Sequence, residues 1–409
     1  MRIPLSRPEI GEHEIEYVTR ALRSGQLSMG PRLPEFEERF AAFVGARYAI
    51  ATNSGTSALH LCVKALGIGP EDEVLTTSFS FVASANCLLY ERAVPAFVDT
   101  NPSTLNLDPT ALEESIARHC TWERVRRRLI NRRSGRPVRA ILPVHVFGLP
   151  CDMAPILGIA RDFNLRVLED ACEALGAEYA GRRAGTFGDA AAFAFYPNKQ
   201  MTTAEGGMVV TDDAQIAATC RSLRNHGRDG DSGWLRHTSL GYNYRLSDLH
   251  CALGLAQLER IEELLSARAR VAAAYSRALA GVPQIALPCD PPETKRSWFV
   301  YVIQLREPMG SEERDRLMAG LRMRGIACQA YFPPIHTQPY FQGLGHIPQD
   351  PLPHTESAAA RCLALPFFAS MTEAQVAEVC RSIREILAQM CALVGPKKSQ
   401  PALTDRAAD

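Results

Sequence analysis

The sequence predicts an α/β protein: a large domain built on a mostly parallel, seven-stranded sheet, followed by a small α+β domain. Three observations support this prediction. The 409-residue chain is 46% apolar, which is enough to bury a large core. Short β-rich runs alternate with helical patterns through the first two thirds, as βαβ units do. After about residue 246 the pattern changes to a long helical stretch and then to a mixed segment.

The strands of the large domain are predicted from short runs rich in β-branched and apolar residues. In chain order they cover residues 48–51, 73–77, 94–98, 139–144, 166–168, 190–195 and 208–211. Helical patterns lie between many of these strands, for example over 56–66 and 153–163.

The predicted domains follow from this pattern. Residues 1–246 form the large domain, with N-terminal helices and an arginine-rich insertion at 118–139, and residues 247–280 form a long connecting helix. Residues 281–394 form the small domain, with strands at 298–305 and 326–331 and helices at 311–323 and 373–390. Residues 395–409 are polar and are predicted to be a disordered tail.

Charge and cysteine content exclude several classes of function. Basic and acidic residues balance at 45 each, so no global field predicts nucleic acid or an anionic membrane as a partner. The twelve cysteines include no Cys-x-x-Cys pair, and no metal site is predicted. Because the chain has no signal-peptide pattern and no long apolar run, we expect it in the cytoplasm.

The insertion at 118–139 carries nine arginines against one glutamate. We favour a solvated excursion on the surface. The alternative is a basic rim near an anionic substrate or a neighbouring subunit.

Lys199 is the candidate nucleophile. It lies between two apolar runs, 190–196 and 208–211, and precedes Gly206 and Gly207. Partly apolar surroundings disfavour the charged form of an amine, which then becomes a usable nucleophile. Such a lysine can hold an aldehyde cofactor as a Schiff base. A lone lysine is more often an ordinary surface residue, so the segments upstream decide between the two interpretations.

Three upstream segments supply matching groups. Gly55 and Thr56 open a helix after a strand, where free amides attract phosphate. Asp170 ends a buried strand, where ligands collect in open α/β sheets, and could keep a pyridinium nitrogen protonated. Phe81 follows another strand end and could stack on a planar ring. The alternatives are helix caps at the first two places and a core position for Phe81.

The order of these groups resembles the DegT/DnrJ/StrS-type sugar aminotransferases, which use pyridoxal phosphate on the fold type I scaffold of aspartate aminotransferase. The resemblance covers residues 8–387. Besides the Lys199 segment, its motifs are Gly55-Thr56-Ser57-Ala58-Leu59, Pro143-Val-His-Val-Phe-Gly148, Glu169-Asp-Ala, Arg224-Asn-His-Gly227 and Gly241-Tyr-Asn-Tyr-Arg245.

The resemblance implies a role for each matching residue. Lys199 forms the Schiff base with pyridoxal phosphate, Asp170 pairs with its pyridine nitrogen, and Phe81 stacks on its ring. Gly55 and Thr56 bind its phosphate.

Further positions bear on the subunit arrangement and the substrate. The resemblance implies that Asn243 reaches the phosphate of the neighbouring subunit's cofactor, so a homodimer with shared active sites is expected. Glu173 lies near the cofactor's phenolic oxygen, where many relatives have Gln or His. Ala194 stands where many relatives have a phosphate-binding serine. The combination of Glu173 with Asn198-Lys199 and Thr202-Thr203 is similar to the perosamine-synthase branch, which aminates a 4-keto sugar nucleotide.

The expected reaction is ping-pong transamination from an amino acid, L-glutamate by resemblance, to a keto-sugar nucleotide. His226, Tyr331 and His336 are candidates to line the sugar site, although each could instead be a packing residue. The alternatives are a keto-cyclitol substrate, a sugar dehydratase on the same scaffold, and a non-enzymatic protein that kept the fold. Dehydratases of this kind carry histidine in place of the Schiff-base lysine.

Overall fold

The structure, a computed structural model, describes residues 2–229, 236–344 and 350–394, without the side chains of residues 393 and 394. The predicted tail at 395–409 lies outside the described residues. Within these ranges, strands and helices alternate through the large domain as the sequence predicts.

The helices are α1 (Glu12–Ser24), α2 (Arg32–Val44), α3 (Gly55–Ala65), α4 (Ala83–Leu89), α5 (Pro109–His119), α6 (Met153–Asp162), α7 (Ala214–Arg224), α8 (Asp248–Glu259), α9 (Ile261–Leu279), α10 (Ser311–Met323), α11 (Pro339–Gln342), α12 (Pro353–Arg361) and α13 (Glu373–Val394).

The strands are β1 (Tyr48–Thr52), β2 (Glu73–Thr77), β3 (Val94–Val98), β4 (Cys120–Glu123), β5 (Arg128–Asn131), β6 (Pro137–Leu142), β7 (Arg166–Asp170), β8 (Glu178–Tyr179), β9 (Arg182–Arg183), β10 (Ala190–Ala194), β11 (Gly207–Thr211), β12 (Ile285–Ala286), β13 (Thr294–Lys295), β14 (Tyr301–Leu305) and β15 (Cys362–Leu365).

The main sheet has the strand order β1-β11-β10-β7-β6-β2-β3. Along this order β11 runs antiparallel to both of its neighbours, and the other adjacent pairs are parallel. Strands β2 and β11 are buried along their whole length because helices cover both faces of the sheet. The predicted α/β fold with a mostly parallel sheet is therefore confirmed.

The arginine-rich insertion adds two antiparallel strands, β4 and β5, to β6. Its arginines meet acids from other segments, including Arg133 with Asp350 at 2.7 Å and Arg136 with Glu71 at 3.7 Å. No residue of the insertion lines the large cavity described below. Local acids therefore compensate much of its charge, and the structure favours the surface excursion over a basic rim on this chain's own cavity.

The predicted connecting helix at 247–280 is two helices, α8 and α9, separated at Arg260 with φ −108° and ψ 12°. The two helices bury their apolar faces in different cores. Leu255 of α8 packs in the large-domain core with Phe36, whereas Tyr275 of α9 packs in the small-domain core with Tyr301. A single straight helix would have to serve both cores with one face, so the chain turns between them.

One strand predicted in the small domain does not form. Residues 326–331 make only single bridges, Ile326 with Ile3 and Gln329 with Ala364. The strand that pairs with β14 is β15 instead, with β12 on the other side. After Gln329 the chain leaves the sheet and lines a cavity. The part that remains beside the sheet is too short to form a continuous series of strand hydrogen bonds.

Candidate active site

An open cavity of about 650 Å³ lies between one edge of the main sheet and the segments that contain Phe299 and residues 329–333. The large domain contributes residues that follow its strands: Ser54 after β1, Ser80 after β2 and Lys199 after β10. The small domain contributes Phe299 and the segment 329–333. This is the edge of an open α/β sheet at which ligands collect, beyond the carboxyl ends of the parallel strands.

The start of α3 offers free amides to the cavity. Ser54 caps the helix and its Oγ accepts a hydrogen bond from the Ser57 amide at 3.1 Å. The amides of Gly55 and Thr56, which come first in the helix, have no hydrogen-bond partner among the described residues. A helix start with two free amides attracts an anion such as phosphate.

Gly55 is at a position where no other residue fits without movement. A Cβ added to Gly55 would lie 2.6 Å from the Cβ of Ala194 and 3.2 Å from Sγ of Cys172. Since Ala194 belongs to β10, the start of α3 rests directly on the central sheet. The absent side chain at Gly55 therefore permits both the close packing and the open amides.

Asp170 is held as a carboxylate acceptor at the end of β7. It is 5% exposed, and its Oδ2 accepts a hydrogen bond from Oγ of Ser84 at 2.7 Å. Its Oδ1 accepts one from the Cys172 amide at 3.1 Å. Ser84 in turn lies 2.8 Å from the hydroxyl of Ser80. These contacts fix the orientation of the carboxylate toward the cavity that it lines.

The amine of Lys199 lies between an acid and an aromatic ring. Its Nζ is 3.6 Å from Oε1 of Glu173 and 4.0 Å from the centroid of the Phe299 ring. Its backbone amide donates to the carbonyl of Tyr196 at 2.9 Å, so the residue belongs to a tight turn after β10. The side chain is only 14% exposed, which limits the directions in which the amine can point.

Glu173 is buried beside this amine. Its Oε2 accepts a hydrogen bond from the Phe147 amide at 2.9 Å. Burial raises the pKa of Glu173, although the charge of Lys199 opposes the shift. A carboxyl group with a raised pKa next to an amine can exchange a proton with it.

Two aromatic side chains provide flat surfaces on the cavity wall. Phe81 is 62% exposed in the cavity, which is unusual for a phenyl ring and is incompatible with the core position considered from sequence. Tyr331 lines the opposite, small-domain part and stacks on Phe332 with ring centroids 5.0 Å apart.

Three residues considered from the sequence do not line this chain's own cavity. Asn243 is exposed, and its carbonyl accepts from Asn53 at 3.4 Å. The amide of His226 donates to the carbonyl of Tyr242 at 2.9 Å in a left-handed turn. Nδ1 of His336 is hydrogen-bonded to Oγ of Ser78 at 2.7 Å. This contact agrees with the structural role that the sequence left open as the alternative to sugar binding.

The sequence reasoning missed Ser84 and Phe299. Ser80 and Ser84 are four residues apart, a spacing that can align two hydroxyls along one side of a helical turn, and this was a usable signal. Phe299 is 100 residues after Lys199 in the chain, and no local sequence pattern predicts a contact between residues so far apart.

The group that these residues fit is flat, anionic and aldehyde-bearing. The free amides of Gly55 and Thr56 suit a phosphate, the exposed ring of Phe81 suits a planar heterocycle, and Asp170 suits its ring nitrogen. Lys199 offers the amine for the aldehyde. Pyridoxal phosphate combines these features.

Among the described residues no cluster of three or more His, Cys, Asp or Glu side chains could hold a metal ion. Every helix in the described ranges is too short or too polar to cross a membrane.

The chain is similar to known proteins over nearly its whole length. Residues 8–384 match the model of the DegT/DnrJ/EryC1/StrS aminotransferase family. The chain is 38% identical over 393 residues to GDP-perosamine synthase of Caulobacter vibrioides, covering 94% of this chain and 98% of that protein. It is 36% identical over 396 residues to the spore coat polysaccharide biosynthesis protein SpsC of Bacillus subtilis, covering 94% and 97%.

A solved structure is also closely similar. The crystal structure of DesI in the presence of its TDP-sugar product superposes with a TM-score of 0.83 at 32% identity, covering 96% of this chain and 95% of that one.

Proposed function

The chain belongs to the DegT/DnrJ/EryC1/StrS aminotransferase family, and we propose that this transaminase uses pyridoxal phosphate to move an amino group from L-glutamate to a keto-sugar nucleotide. The observation that carries the proposal is the placement of Lys199, Asp170 and the start of α3 around one cavity. No metal is needed for this reaction.

Support for a nucleotide-linked substrate comes from the names of similar proteins and from the size and openness of the cavity. Two similar proteins carry a nucleotide sugar in their names or titles, GDP-perosamine synthase and DesI with its TDP-sugar product. The cavity of about 650 Å³ is open, so a ligand can extend beyond the cofactor. A sugar bearing a diphosphate and a base needs such an opening.

When bound, pyridoxal phosphate supplies an aldehyde for amine exchange and a ring that stabilises negative charge at the donor's α-carbon. The amides of Gly55 and Thr56 would hold its phosphate, and Asp170 would face its ring nitrogen. Phe81 would cover one face of its ring. The hydrogen bonds from Ser84 and Cys172 keep the Asp170 carboxylate in place for this task.

Lys199 moves the proton. With its Nζ free of the cofactor, Lys199 would take the proton from the donor's α-carbon as a general base and would deliver it, as a general acid, to the cofactor carbon that carried the aldehyde. Glu173, 3.6 Å from Nζ, has a raised pKa and can keep the amine supplied with a proton or receive one from it. The Lys199 side chain is only 14% exposed, which restricts contact between the amine and water during this transfer.

We further propose a homodimer in which Asn243 reaches the neighbouring subunit's site, because its side chain is exposed while its backbone is fixed beside Asn53. His226 remains a candidate for the substrate site of the neighbouring subunit in this homodimer. Tyr331 lines this chain's own cavity and remains a candidate for its substrate site. The twelve free cysteines fit a reducing compartment, and we place the reaction in the cytoplasm.

Turnover with matched substrates tests the proposal. With L-glutamate as donor, we expect amination of a nucleotide-linked 4-keto sugar and little amination of a free keto-cyclitol. The reverse preference would replace the sugar-nucleotide assignment by the cyclitol one. Lys199→Ala should abolish turnover, whereas Lys295→Ala, a change at an exposed lysine, should not. Dehydration of a sugar nucleotide without amination would favour the dehydratase, which the retained Lys199 disfavours.

A further inference from the structure

Arg268 is a buried cation at the junction of the two domains. It lies on α9 and is 3% exposed. Among the described residues its guanidinium donates hydrogen bonds only to backbone carbonyls, to Lys199 at 2.7 Å, Phe299 at 3.2 Å and, more weakly, Asn198 at 3.5 Å. Its central carbon lies 5.7 Å from the centroid of the Phe367 ring. Within the described ranges these contacts include no ion pair.

The charge at this position is retained at a cost. Burial lowers the pKa of Arg268 to about 10, while the Glu9 carboxylate opposes that shift, so the guanidinium stays charged at neutral pH. Its Nε has no hydrogen-bond partner in the described structure. A void of about 10 Å³ shared with Glu9 and Gln257 is at the lower limit of what one water needs. An apolar side chain would avoid these costs, so a geometric role is the better explanation.

The carbonyls that Arg268 binds belong to the residues that define the lysine's surroundings. Lys199 follows β10 in the large domain, and Phe299 precedes β14 in the small domain. Nζ of Lys199 lies over the ring of Phe299 at 4.0 Å. No local sequence rule fixes this distance between two domains. A planar guanidinium can fix it, because its donors lie at set angles and bind both backbones at once.

We infer that Arg268 is a positioning residue that sets the backbone of Lys199 against Phe299 and so directs the lysine amine toward its reaction partners. The effect on turnover rests on the proposed transaminase function. The effect on geometry does not, because it can be measured in the cofactor-free protein.

The experiment compares Arg268→Met and Arg268→Lys with the wild type and with Arg314→Met. Arg314 is a matched control, since its side chain is 13% exposed and donates to the carbonyl of Ala359 within the small domain. Hydrogen exchange of the peptide containing residues 196–200 is measured without cofactor. Steady-state kinetics are measured with pyridoxal phosphate, L-glutamate and a nucleotide-linked 4-keto sugar.

In Arg268→Met we expect faster exchange of the Lys199 amide and a kcat about 10²-fold lower with KM nearly unchanged, because the lysine is displaced rather than substrate binding. Arg268→Lys keeps the charge, but one ammonium cannot span both carbonyls, so most of the loss should remain. Arg314→Met should match the wild type on both measurements.

Wild-type exchange and kcat in folded Arg268→Met would overturn the inference, as would full recovery of kcat in Arg268→Lys. If Arg268→Met does not fold, Arg268→Lys decides on the same two measurements. If the wild type shows no transamination, the proposed function fails, and the exchange rates still decide whether Arg268 holds Lys199.

Discussion

Substitution of Gly55 by alanine tests the anion-binding start of α3. The new Cβ would lie 2.6 Å from the Cβ of Ala194 and 3.2 Å from Sγ of Cys172. Carbon atoms in contact prefer about 3.5–4.0 Å, so roughly 1 Å of separation is missing. Strand β10 carries Ala194 and is paired on both sides, with β7 and β11, so we expect the helix start to move instead.

The structure sets the expected size of the effect. Overpacking of this kind costs about 1–3 kcal/mol of stability. Movement of the free amides of Gly55 and Thr56 also weakens hydrogen bonds to a charged group, each worth about 1.5–3 kcal/mol. Loss of one such bond weakens cofactor binding roughly 10- to 100-fold. Titration of the cofactor-free protein with pyridoxal phosphate, followed by visible absorbance, measures the affinity, and thermal unfolding measures the stability.

Two further variants make the test specific. Gly69→Ala adds a methyl group where nothing lies within 4 Å, so it should leave the affinity unchanged. Ala194→Gly combined with Gly55→Ala removes the shortest contact and should recover part of the loss. Wild-type affinity in Gly55→Ala would refute the steric reasoning and the assignment of this helix start to phosphate.

Three other changes follow from the site. Ala194→Ser adds a hydroxyl beside the start of α3, and should tighten pyridoxal phosphate binding about tenfold in the same titration; no gain would mean that the phosphate accepts no further hydrogen bond at this position. Ser84→Ala removes one of the two donors to buried Asp170, and should lower cofactor affinity and kcat about 10- to 100-fold, with Tm as the control for folding. Burial raises the pKa of Glu173, so its stabilisation of the native state is present at acid pH and is lost as pH rises through that pKa. Glu173→Gln should therefore raise the Tm of the cofactor-free protein at neutral pH, by a margin that shrinks on acidification; a constant margin would contradict the shift.

Local patterns predict the large domain well because its elements are themselves local. The predicted strand at 73–77 coincides with β2, and the predicted strand at 94–98 coincides with β3. Lys199 and Asp170 were identifiable because Asp170 ends a strand and Lys199 follows one, and strand ends converge in a parallel sheet.

What the sequence did not predict depends on contacts between distant segments. The break at Arg260 arises because α8 and α9 bury their faces in two different cores. Phe299 and Arg268 are far from Lys199 in the chain and contact it only in the folded structure. The acids that compensate the arginine-rich insertion, such as Asp350 and Glu71, come from segments far from it in the chain.

The central claim is that Lys199 binds the cofactor through its amine. The protein is incubated with pyridoxal phosphate, and borohydride then reduces the Schiff base to a stable amine. Peptide mass spectrometry identifies the labelled residue directly, since the chain has only five lysines. We predict a single pyridoxyl label, on the peptide that contains Lys199. A label on Lys64 or Lys295 instead, or an unlabelled Lys199 at saturating cofactor, would contradict the assignment.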